Sequence, residues 1–179
     1  MQEIGLISGV AELVLSLVLG LMVTFVSFRL FGRIYRELNE KSGLAENNVS
    51  VAIVLASMVL GTGVVVLQSL APMVSTFQTT IYNGLTVESG LTFVGYVLGF
   101  ALGALFVAIL GISLATRVFL FLTHEIDEMA EIRQNNMAVA IALAAVILVI
   151  SLFLGFGTKS FLLAIVPYPS ITGIEVIGG

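Results

Sequence analysis

The chain has 179 residues, 59% of them hydrophobic and only 10% charged. A soluble domain carries about 25% charged residues because its surface faces water, so this composition excludes one and points to a polytopic membrane protein. The net charge of −4, with seven Lys and Arg that form no stripe, excludes a nucleic-acid partner, and the lack of cysteine excludes disulfides, thiolate metal sites and cysteine nucleophiles.

The opening "MQEIGLISGV" has no basic n-region and no cleavage-like signal follows it, so the first apolar segment is expected to be retained. Apolar stretches cover residues 7–31, 49–71, 91–123 and 137–158. Each is long enough to cross a hydrocarbon core of about 30 Å at about 1.5 Å per residue. The expected fold class is therefore all-α, with four transmembrane helices. Pro72 is expected to close the second span, leaving "MVSTFQTTIYNGLTVESG" as a polar outer loop. The tail from Lys159 onward, broken by Pro167 and Pro169, is expected to lie on the membrane surface or re-enter from it.

Arg29, Arg33, Arg36, Lys41, Arg117 and Arg133 flank the first and third connections, and only Lys159 falls on the other side. This bias predicts that both connections, or elbows, are cytoplasmic and both termini outside. Sixteen residues separate Glu12 from Arg29, about 24 Å of helix, which is less than the core thickness. Arg29 is then expected to snorkel toward the inner surface while Glu12 stays near the outer one. The elbows are acidic, with Glu37, Glu40 and Glu46 in the first and Glu125, Asp127, Glu128 and Glu131 in the second. The i,i+4 pairs Arg33–Glu37 and Arg36–Glu40 suggest that the first helix continues into the cytoplasm. Beside His124 the acids could hold a cation, but no established metal-binding spacing is present and a solvated elbow is the plainer expectation. No metal or cofactor is expected.

Asn47 and Asn135 are 88 positions apart, and that offset holds without a gap over a long register. It pairs Arg29 with Arg117, Glu37 with Glu125, Glu40 with Glu128, and Asn47–Asn48 with Asn135–Asn136. Such agreement across charged, polar and apolar positions predicts a tandem duplication, residues 1–88 and 89–179, of a helix–elbow–helix unit. Two spans per unit give both copies one orientation, related by an axis along the membrane normal. The duplicated arginine, acidic elbow and "N-N-x-x-V-A-I-x-L-A" helix start resemble the bacterial membrane family called domain of unknown function 350. That resemblance implies a small four-helix integral membrane protein with no established activity, and protein partners, since some members lie among envelope-stress genes.

Asparagine is a favoured N-cap, so Asn47–Asn48 and Asn135–Asn136 are expected to open the second and fourth spans. Alternatively, one of each pair caps while its neighbour faces the other copy, making a polar ring at the cytoplasmic mouth. Gly95, Gly99 and Gly103 form two overlapping GxxxG motifs on the third span, extended by Ala104 and Ala108, a strip for close helix contact within the bundle or with a second copy. No nucleophile–base–acid set can be assembled, and no ionisable residue sits mid-span, so catalysis is not expected. Two readings remain. One is an oligomeric scaffolding module in the cell (plasma or inner) membrane whose elbows dock a cytoplasmic protein. The other is a permeation path lined by the asparagines and by Ser57, Thr62, Ser113, Thr116 or Ser151.

Overall fold

The computed structural model describes residues 2–38, 40–82, 84, 86–125 and 127–166, and these form an all-helical bundle. In chain order the helices are α1 (Gln2–Ile34), α2 (Glu40–Ala45), α3 (Val49–Leu67), α4 (Leu70–Tyr82), α5 (Val87–Leu122), α6 (Glu128–Arg133) and α7 (Met137–Ile165). Four stretches are long and apolar enough to cross a membrane: Gly5–Ile34, Val49–Tyr82, Val87–Leu122 and Met137–Ile165. Their outward faces carry Leu13, Leu17, Phe106 and Phe153, each more than 60% exposed. No water-soluble monomer presents so continuous an apolar surface, whereas lipid is its natural solvent.

The most extensive helix contact is between α3 and α7, which form the centre of the bundle. α1 packs on α3, and α5 packs on both central helices. Two apolar clusters stack along the bundle. The elbow-end cluster includes Phe31, Tyr35, Leu38, Met58, Phe119, Ile132 and Ile147; the opposite cluster includes Leu19, Val66, Met73, Phe100, Ala104 and Leu162. Small residues bring the central helices close at mid-height. A Cβ on Gly61 would meet Ser151 Oγ at 2.6 Å, and one on Gly155 would meet the Val64 carbonyl at 3.4 Å. On α5, Gly111 leaves the space that the end of the Leu154 side chain fills.

Several expectations change. Pro72 does not close the second span and begin a loop: it is the third residue of α4, in the first turn, where a missing N–H costs little. The segment after it looked polar because of its hydroxyls. In the helix these fold back, Thr76 onto the Pro72 carbonyl at 2.9 Å, Thr79 onto Ser75 at 3.0 Å and Thr80 onto Thr76 at 2.8 Å. α1 stops at Ile34, so Arg33–Glu37 and Arg36–Glu40 are not helical i,i+4 pairs. The fourth span continues to Ile165 rather than ending at residue 158. The expected surface placement of the tail beyond Val166 concerns residues outside those described.

Candidate functional site

The polar residues singled out in the sequence meet at the elbow end. α2 and α6 are single short helices, each followed by an Asn–Asn pair and then by a span, α3 or α7. The first asparagine of each pair ends the short helix in a left-handed conformation, with φ 57° at Asn47 and 66° at Asn135. Asparagine tolerates this region better than other residues with a Cβ, and it is the closing position of a Schellman turn. The remaining bonds of that turn are present in both elbows. Asn47 N–H donates to Leu44 and Asn48 N–H to Gly43; Asn135 N–H donates to Ile132 and Asn136 N–H to Glu131. The second asparagine is extended and caps the next span. One dipeptide thus closes one helix and opens another.

The side chains also join the elbows. Asn48 Oδ1 accepts from Val51 N–H at 3.0 Å, while its Nδ2 crosses to donate to the carbonyls of Ile132 at 3.1 Å and Arg133 at 2.9 Å. Those are carbonyls at the end of α6, where intrahelical partners run out. In return, Asn135 Oδ1 accepts from Ser50 N–H at 3.0 Å. The start of α3 is therefore capped from both elbows. The start of α7 is different: Asn136 Oδ1 accepts from Ala138 N–H at 3.1 Å, and its Nδ2 donates to Glu131 of its own elbow at 2.7 Å. The residue 88 positions before Glu131 is Gly43, which offers no carboxylate to hold Asn48 back. A Cβ at Gly43 would also meet Val51 at about 3.0–3.2 Å. The expected polar ring is thus a clasp of amides on backbone groups.

The acids divide by environment. Glu37, Glu46, Glu125 and Asp127 are exposed, and Asp127 caps α6 by accepting from Ala130 N–H at 3.0 Å. Glu128 is buried and accepts from the Thr123 hydroxyl. Glu40 begins α2, and its side chain lies outside the described set. Arg29 and Arg117 are both exposed, and the Arg29 guanidinium lies over the Phe25 ring, 5.4 Å from its centroid. Among the described residues no group of three His, Asp or Glu is arranged to hold a metal ion.

Tyr35, which the sequence reading passed over, completes the site. It lies just beyond the first span, fully buried, with its hydroxyl 2.6 Å from Thr116 Oγ1 on α5. Burial pushes its phenol up to about 12, partly offset by the Thr116 bond, so it remains a neutral hydrogen-bonding group at ordinary pH. The ring also packs against Phe31, centroids 5.2 Å apart. An aromatic residue just after an apolar run, inside an otherwise charged segment, was the available signal.

Among the described residues, no atom lies within 4 Å of a Cβ added at Gly95, Gly99 or Gly103. They line an apolar groove of about 470 Å³ with Phe100, Phe161 and Leu162. Ala104 and Ala108, expected to extend the same thin face, are buried in the bundle instead.

A comparison with protein families finds a match over residues 5–155 to the model described as Domain of Unknown Function (DUF350). No curated protein and no solved structure matches.

Proposed function

Starting from the chain's membership of the Domain of Unknown Function (DUF350) family, we propose that it is a membrane scaffolding module that docks a cytoplasmic protein on its paired elbows. The observation that carries this reading is the clasp: Asn48 and Asn135 tie two separate connections into one platform, on which Glu37, Glu46, Glu125 and Asp127 stay exposed. Elbows that served only to reverse the chain would need no bonds between them. A rigid acidic surface suits a basic partner segment, because fixed charges steer encounter and set register.

The rest of the proposal follows from the same residues. The two helix–elbow–helix units, 1–88 and 89–179, are copies in one orientation; α2 and α6, and likewise α3 and α7, begin 88 residues apart. The Lys and Arg distribution puts the elbows in the cytoplasm and both termini outside the plasma or inner membrane. Self-association uses the open glycine groove, where missing Cβ atoms let another helix approach. The module is proposed not to be an enzyme, since the described elbow residues offer carboxylates and amides but no activated nucleophile.

Permeation is the second reading, favoured by the buried hydroxyls of Ser27, Ser50 and Thr62, which have no bonding partner among the described residues. Against it, Ser57, Ser113 and Thr116 bond carbonyls of their own helices. A photo-crosslinking residue placed at Glu125 in native membranes tests the docking role. A discrete adduct is expected that disappears in the E37Q/E46Q/D127N variant and does not form from a crosslinker at Leu91. Equal labelling from both positions, or solute flux through reconstituted vesicles, favours the other reading.

A further inference from the structure

A second polar feature lies beside the clasp. Arg29, Arg33 and Arg36 line one groove of about 450 Å³ whose apolar wall is Val26 and Leu30 of α1 and Ile109 of α5. Three of the chain's seven Lys and Arg residues meet there, and among the described residues the lining contains no carboxylate. All three arginines are exposed. Arg33 has an ordinary role, in the last turn of α1, where a cation complements the carbonyl end of the helix. Arg29 lies a turn deeper and Arg36 lies past the helix end, so that role does not account for them.

Arg29 is also turned the wrong way for a group seeking bulk water. Its guanidinium lies over Phe25, one turn nearer the middle of the span. The ring face compensates a cation only in part, and a charge at that depth needs an anion. Guanidinium groups bind phosphate oxygens through paired N–H donors, a fork that lysine cannot offer. A groove with a cationic rim and an apolar wall matches an amphiphile with an anionic head. Basic pockets between membrane helices take such headgroups.

We propose that this groove is a binding site for an anionic phospholipid, its phosphodiester held by Arg29, Arg33 and Arg36 and its first acyl methylenes against Val26, Leu30 and Ile109. The second half of the chain provides an internal comparison. At the positions 88 residues on it has Arg117, Phe121 and His124, which do not line this groove. The site is independent of which way the elbows face and of any protein partner, because a nanodisc presents the same lipids on both sides.

The test uses the full chain in nanodiscs made from equal parts of phosphatidylglycerol and phosphatidylcholine, released into native mass spectrometry. Retention of one phosphatidylglycerol is expected over phosphatidylcholine by about thirtyfold or more, as two near-surface arginines would give. R29Q/R36Q, which leaves Arg33 on the helix end, should bring that preference near parity, while R117Q should keep it. Circular dichroism confirms the fold of each variant, and R36Q alone, outside the helix, should show a partial loss if the double variant misfolds. Equal retention of the two lipids by the wild type, or an unchanged preference in R29Q/R36Q or in R36Q, overturns the site. Thermal stabilisation by inorganic phosphate equal to that by phosphatidylglycerol would assign the arginines to a free anion and overturn the lipid reading.

Discussion

Asn48 has three bonds that separate cleanly by chemistry. Its Oδ1 caps α3, and its Nδ2 holds two carbonyls of α6. Aspartate is as good an N-cap but donates nothing, and it would place a carboxylate against two carbonyl oxygens. Asn48→Asp should therefore lower stability by about 1–3 kcal/mol through the clasp alone, read as unfolding in detergent. A variant as stable as the wild type would mean that the crossing bonds contribute nothing. At Asn135 the backbone and side chain can be separated too. Glycine relieves φ 66° but deletes the bond to Ser50, so Asn135→Gly should cost about 1 kcal/mol, and Asn135→Val more, since valine adds strain. The capping role of these asparagines was legible in the sequence, because a cap is local. That they reach toward the other copy was one of two readings, but their partners were not legible: these are backbone groups more than 80 residues away, which carry no residue signature.

Among the helices, glycine spacing identified a face but not what the face meets. Gly95, Gly99 and Gly103 share one side of α5, and the fold turns that side outward. The glycines that do pack within the spans, Gly61, Gly111 and Gly155, have no four-residue repeat to announce them, because each answers one particular side chain or carbonyl opposite. Gly61→Leu should destabilise the bundle by about 1–3 kcal/mol, since Ser151 and Ile147 stand against it. Gly99→Leu should leave the monomer's thermal unfolding unchanged and reduce its mass in detergent from oligomer to monomer; an unchanged mass would place the groove against lipid. The four spans were readable because hydrophobic length is a bulk property that neighbours do not alter. The end of α1 and the start of α4 were not, since charge spacing and a proline fit a helix continuing or stopping, and packing decides. Tyr35 stands on the first of these boundaries, buried in the core just where α1 ends. Tyr35→Phe should cost about 0.5–1.5 kcal/mol if its bond to Thr116 stabilises that boundary.

For the whole molecule, the proposed orientation is directly measurable because the chain has no native cysteine. Cysteine at position 42 should be protected from an impermeant reagent in intact cells, and cysteine at position 89 should react; the reverse pattern would invert the molecule. The spans are also unequally held. The apolar window of α1 is 17% buried, against 56% for the span formed by α3 and α4. At about 50 Å, α1 is longer than the roughly 30 Å core it crosses. Its elbow end is buried at Phe31, and Leu19 and Val23 pack into the opposite cluster, while Leu6, Leu13 and Leu17 nearer the other end are mostly exposed. A helix longer than the core it crosses is accommodated by tilt, and its packed face limits how it can lean. The chain from Leu19 to Tyr35 therefore takes its surroundings from protein, and most of the chain ahead of Leu19 takes them from lipid.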